Sequence, residues 1–180
     1  MSVFEYILAF LTLVLGLGLA RNLTAIAELE FTKRRAQDLS DLVWLVSITL
    51  LQIDFWFVSW STSHDREVWE LWRLLVTLSL AISLFMAGSY IGQASRLEGD
   101  NRWRRLKFGM VALLTWLAVA VGNAIVVLDV ELTVFPVIGG ASILIALLSK
   151  SRVGLYRLGT FGFFAFSIYL LVVVGPTTIG

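Results

Sequence analysis

The sequence predicts an all-α, polytopic transmembrane helical bundle of about six spans, with both termini on the outer side. Three observations carry this. Hydrophobic residues make up 58% of the 180 residues and charged residues only 15%, against ~45–50% and ~25% in a soluble domain. Six stretches approach the ~20 apolar residues that cross ~30 Å of hydrocarbon. The charges between those stretches alternate in sign along the chain. A soluble domain of this size still exposes much of its surface, and a mean hydropathy of +0.86 leaves little polar material to cover it. Lipid as the surrounding solvent removes that difficulty.

The spans are expected at about 3–21, 42–61, 69–92, 107–128, 133–149 and 155–174, in one membrane domain covering 1–180. The first, within MSVFEYILAFLTLVLGLGLA, reads as a span rather than a cleaved leader. A leader carries positive charge ahead of its apolar run, whereas here Glu5 comes first and the first base is Arg21. The following RNLTAIAELEFTKRRAQ keeps a helical period, with Leu23, Ile26, Ala27 and Phe31 near one face. It either prolongs the helix or lies along the inner surface. Lys33, Arg34 and Arg35 serve there as a topology signal and are candidate contacts for anionic lipid.

Two further basic groups follow, Arg96, Arg102, Arg104, Arg105 and Lys107 around the third turn, and Lys150, Arg152 and Arg157 around the fifth. Together these three turns hold eleven of the 14 basic residues. The intervening turns carry Asp65, Glu67 and Glu70, then Asp129 and Glu131. Positive charge marks the cytoplasmic side, so an even number of spans returns both termini outward. The fifth span is short and irregular, with Pro136 near its start and Gly139-Gly140-Ala141-Ser142 behind it. Gly175-Pro176 ends the sixth, since neither residue continues a helix well. The letters of spans 1–3 and 4–6 supply no inverted repeat.

Several polar residues fall inside these spans. Asp54 lies roughly 9 Å from the outer end of its helix at 1.5 Å per residue, and Arg73 at a similar depth in the next. Asn123 and Glu5 belong to the same outer layer. The expected cluster of Asp54, Arg73, Asn123 and Glu5 admits three roles: an ion or substrate site, an ion pair that docks two helices, or a snorkelling arginine beside a protonated acid. Gln52 and Ser59 share a different face of the helix from Ser47 and Asp54, one for the interior and one for a partner. Trp56, Trp60, Trp69, Trp72 and Tyr6 are expected in an outer aromatic belt, and Trp44, Trp103 and Tyr156 in an inner one. Trp116 falls mid-span, where its indole N–H needs a partner. Gly88 and Gly92, with Ala118 and Gly122, form a candidate helix-packing face.

Absences narrow the function. The chain has no cysteine and a single histidine, His64. No HExxH, GxSxG, P-loop or GxGxxG-before-helix pattern occurs. No catalytic residue, metal site or cofactor is therefore expected, and the chain reads as a non-enzyme without nucleic-acid partners. The opening FEYILAFLTLVLGLGLARNLT resembles small bacterial membrane proteins, which implies a multi-pass protein of a bacterial inner membrane and no particular function. Its expected partners are membrane lipids and either further copies of itself or a larger complex. Two functional classes stay open: an interaction, sensor or accessory subunit, and a small channel or transporter that uses the Asp54 layer.

Overall fold

The structure, a computed structural model, describes residues 3–29, 36–63, 71–128, 134–149 and 153–174. These residues form α1 (Val3–Ala27), α2 (Ala36–Ser63), α3 (Leu71–Ala94), α4 (Gly99–Leu128), α5 (Val134–Leu148) and α6 (Val153–Tyr169), the last continuing as a π-helical turn, Leu170–Val174. Five helices contain stretches long and apolar enough to cross a membrane: Glu5–Ala27, Leu39–Ser61, Leu71–Ala94, Gly99–Asn123 and Val153–Val172. The fifth stretch also forms a helix, but α5 has only 15 residues. The protein is a helical membrane bundle.

Two helix starts differ from the hydropathy reading. The second span was expected from 42, yet α2 begins at Ala36; the fourth was expected from 107, yet α4 begins at Gly99. An apolar window marks where a helix is greasy all round, not where it begins. The first turns of α4 are polar on one side only, so Arg102 and Leu106 already lie on a helix with a buried face. The α3–α4 turn is tight: Leu97 N–H donates to the Ala94 carbonyl at 3.0 Å, and Gly99 takes φ +61°. That left-handed value favours a residue without Cβ. Asp100 in the first turn of α4 meets the positive end of the helix dipole. α1 ends at Ala27, after which Glu28 N–H donates to the Thr24 carbonyl at 3.0 Å and Leu29 N–H to that of Ile26 at 3.2 Å; Lys33, Arg34 and Arg35 lie outside the described residues.

The helices close into a ring. α1 packs on α2 and α3, α3 on α4, α4 on α5, α5 on α6 and α6 on α2, while α2 also touches α3 across the middle. Each even-numbered helix buries residues at the same six positions. Counting from Asp41 in α2, Leu106 in α4 and Tyr156 in α6, positions 0, 3, 4, 7, 10 and 11 are all buried. This is the spacing of one wide helical face. The three faces share one apolar cluster in which Trp44, Leu45, Ile48, Leu84, Met110, Leu113, Ile143 and Phe163 have essentially no exposure. The Trp44 and Phe163 rings stack at 4.8 Å between centroids. A second, smaller cluster joins Ile7, Leu11 and Leu15 of α1 to Ala81 of α3.

This corrects the aromatic assignment. Trp44 and Tyr156 belong to the core rather than to an inner belt. Both lie on the buried faces of their helices, Trp44 at position 3 of the α2 face and Tyr156 at position 0 of the α6 face. Trp116 is buried, and its indole N–H has no hydrogen-bond partner among the described residues. Tyr6, Trp60 and Trp72 are exposed, as a lipid-facing belt requires, and Trp56 donates its Nε1–H to Thr12 Oγ1 at 3.1 Å, tying α2 to α1.

Apolar side chains gain no transfer energy between helices when lipid is the alternative, so contact distance decides stability. Position 3 of the shared face is glycine in both α4 and α6, at Gly109 and Gly159. A Cβ on Gly159 would stand 2.5 Å from the Ser142 carbonyl oxygen and 2.8 Å from the Ala146 Cβ. Around Gly154, on the same helix, no described residue lies within 4 Å of such a Cβ. Gly159→Leu is expected to force α5 and α6 apart and destabilise the fold by about 1–3 kcal/mol or more, seen as a lower melting temperature in detergent. Gly154→Leu should leave that temperature within error of the parent.

Candidate functional site

The most concentrated polar chemistry lies where the first turns of α2, α4 and α6 converge. Asp41 is position 0 of the α2 face, Tyr156 is position 0 of the α6 face, and Arg102 sits one turn before Leu106, position 0 of the α4 face. One guanidinium nitrogen of Arg102, Nη2, donates to Asp41 Oδ1 at 2.8 Å and to Oδ2 at 2.7 Å. Tyr156 donates its hydroxyl to Asp41 Oδ1 at 2.9 Å. The Asp41 side chain is 1% exposed and that of Arg102 14%. Such charge-assisted bonds are short and roughly twice as strong as neutral ones. Removing a carboxylate from water is costly, and only full satisfaction of its lone pairs repays it. Here the partners come from two other helices. The arrangement therefore holds three helix ends together, and it offers a carboxylate already engaged by a cation rather than one open to a ligand.

A second polar layer lies deeper, between α1 and α2. Asn22 and Gln52 are both buried. Asn22 donates through Nδ2 to Gln52 Oε1 at 3.2 Å and, at the limit of bonding, to Thr49 Oγ1 at 3.5 Å. Each amide rests on a glycine of a neighbouring helix. A Cβ on Gly18 would collide with the Gln52 amide, and one on Gly88 with the Asn22 amide. Gly92, the other half of the GxxxG, receives Ala25 of α1, whose Cβ would be 2.9 Å from a Cβ at that position. The Gly88–Gly92 face is thus taken up by α1 of the same chain. Ala118, in contrast, is exposed, and no described residue lies within 4 Å of a Cβ on Gly122.

The outer residues are arranged differently from the expected cluster. Asp54 is half-buried and makes no hydrogen bond or ion pair with a described residue. Arg73 lies with its guanidinium 5.1 Å from the centroid of the Trp72 ring. α2 is described to Ser63 and α3 from Leu71, and the turn that joins them lies outside the described residues. Asn123 is half-buried without a hydrogen bond to a described residue, and Glu5 is exposed at the start of α1. Of the residues expected in the polar layer, Gln52 enters a buried side-chain network with Asn22. His64 lies outside the described residues. Among the described residues no group of three His, Asp or Glu side chains is placed to hold a metal ion.

Asn22, Asp41 and the role of Arg102 were missed from the sequence. Asp41 fell one residue ahead of the expected span, and Arg102 counted only as a topology charge. The register of the buried face was the available signal: Asp41 precedes Trp44, Leu45 and Ile48 by three, four and seven residues.

Removing one member of a buried pair leaves the other charge stranded. Asp41→Asn and Arg102→Gln are each expected to destabilise the bundle by about 3–5 kcal/mol, and Tyr156→Phe by about 1.5–3 kcal/mol. A double-mutant cycle on Asp41 and Arg102, read by reversible unfolding in detergent, should show the two losses to be strongly non-additive. No known protein family, curated protein or solved structure matches this chain, so its function is argued from this geometry.

Proposed function

We propose that this chain is a non-enzymatic interaction or accessory subunit of a bacterial inner membrane, working as a homo-oligomer or within a larger complex. The observation that carries the reading is the filled interior. Side chains from α2 to α6 meet in one apolar cluster, with Trp44 and Phe163 stacked at its centre. A conduit lines its path with carbonyls, charges or other polar groups. Here the buried carboxylate and the buried Asn22 amide join helices, Asp41 to α4 and α6 and Asn22 to α2, and buried hydroxyls such as those of Thr160 and Ser167 bond carbonyls of their own helix. What stays open faces outward. The Ala118 and Gly122 side of α4 gives a partner helix room to approach closely.

One observation favours the channel or transporter alternative. Asp54 is a half-buried acid in an apolar helix, and acids so placed are candidate ion or proton sites. Two measurements separate the readings. Extraction in a mild detergent should recover a stable partner or oligomer with the parent chain and lose it with the Ala118→Leu/Gly122→Leu double variant. Proteoliposomes should pass common ions and protons no faster than empty vesicles. Recovery of a lone chain under every condition, together with a flux that Asp54→Asn changes tenfold or more, would overturn the proposal in favour of the conduit.

A further inference from the structure

Where the α3–α4 turn meets the first turns of α4, the surface forms a recess of about 410 Å³ lined by Leu97, Asn101, Arg104, Arg105 and Phe108. We infer that this recess is a binding site for the headgroup of an anionic glycerophospholipid of the inner leaflet. The inference does not depend on which partner the protein has.

The charges of this region divide into two sets. Arg96 pairs with Glu28 and Arg102 with Asp41. Arg104 and Arg105, both exposed, form no salt bridge with a described carboxylate. The nearby acids of the turn, Glu98 and Asp100, have partners of their own. Two guanidinium groups thus remain beside an amide, Asn101, at the lip of a recess. Guanidinium groups recognise phosphate oxygens through planar, often bidentate hydrogen bonds. The volume falls within the range of small-molecule sites.

The rest of the lining suits a lipid better than a free anion. Arg105 lies 5.9 Å from the Tyr90 ring centroid, and the Tyr90 and Phe108 rings stand 5.5 Å apart. The guanidinium is thereby held beside an aromatic pair at the level where aromatic residues meet headgroups. Phe108 is one helical turn beyond Arg104, and Val111 follows on the same exposed side, 49% and 50% exposed. Cationic groups at the helix start and an apolar strip leading away from them match a phosphate with its acyl chain. Basic pockets beside transmembrane helices on the cytoplasmic side hold anionic headgroups in this way, and the cationic turns mark that side here.

The test uses the full chain in nanodiscs of equal phosphatidylglycerol and phosphatidylcholine, with retained lipid quantified after exchange into mild detergent. Parent protein should retain phosphatidylglycerol in preference to phosphatidylcholine. Arg104→Gln/Arg105→Gln should cut that preference by roughly thirtyfold, the weight of two arginines at an anionic surface, with helicity by circular dichroism unchanged. Lys107→Gln, exposed but outside the recess, should leave the preference within error of the parent. Equal retention of both lipids by the parent overturns the inference even if the double variant misfolds. So does an equal loss in Lys107→Gln, which would mark diffuse charge, or displacement of phosphatidylglycerol by millimolar inorganic phosphate, which would mark a soluble-anion site.

Discussion

The bundle is organised around the need to satisfy one carboxylate that water cannot reach. Asp41 is fully buried, and its two oxygens are bonded by Arg102 of α4 and Tyr156 of α6. Neither partner is near it in sequence. The three even-numbered helices therefore converge at their first turns, and this sets the register in which their buried faces meet. In lipid, packing by apolar side chains tolerates rotation and sliding, because one greasy surface is much like another. A buried ion pair tolerates neither, and the best-attested use of such pairs is to specify register.

α1 is held by a different device with the same logic. Its buried face runs Ile7, Leu11, Leu15, Gly18, Asn22, Ala25 and Leu29, a near-heptad seam against α2 and α3. Within that seam Asn22 donates an amide hydrogen bond to Gln52, and Gly18 and Gly88 leave the space that each amide occupies. Polar contact and missing side chains work as a pair. An amide without its glycine would not fit, and a glycine without its amide would leave a void, which costs dispersion contacts.

The architecture was largely legible in the sequence because hydropathy and charge are summed over many residues. The apolar stretches and the cationic turns each average out local ambiguity. The polar sites were less legible, for a reason visible at Asp41 and Arg102. Both lie where a helix has begun but its apolar window has not, so a window-based reading assigns them to the turn. Asp54 stands out in the sequence because its neighbours are apolar, yet a conspicuous acid does not say what its helix packs against it, and no described residue bonds it. Gln52 was found because a polar residue at the middle of a span has few explanations. Asn22, nearer the inner end of α1, has many.

α5 introduces an asymmetry at one flank of the bundle. Its 15 residues rise about 22 Å, while the hydrocarbon layer is ~30 Å thick. Val137, Leu144 and Leu148 are turned outward along it. A short apolar helix is matched by a bilayer through thinning, snorkelling of flanking residues or oligomerisation, each at a fraction of a kcal/mol per Å of mismatch, so two copies that met along this flank would share that cost through the lipid itself.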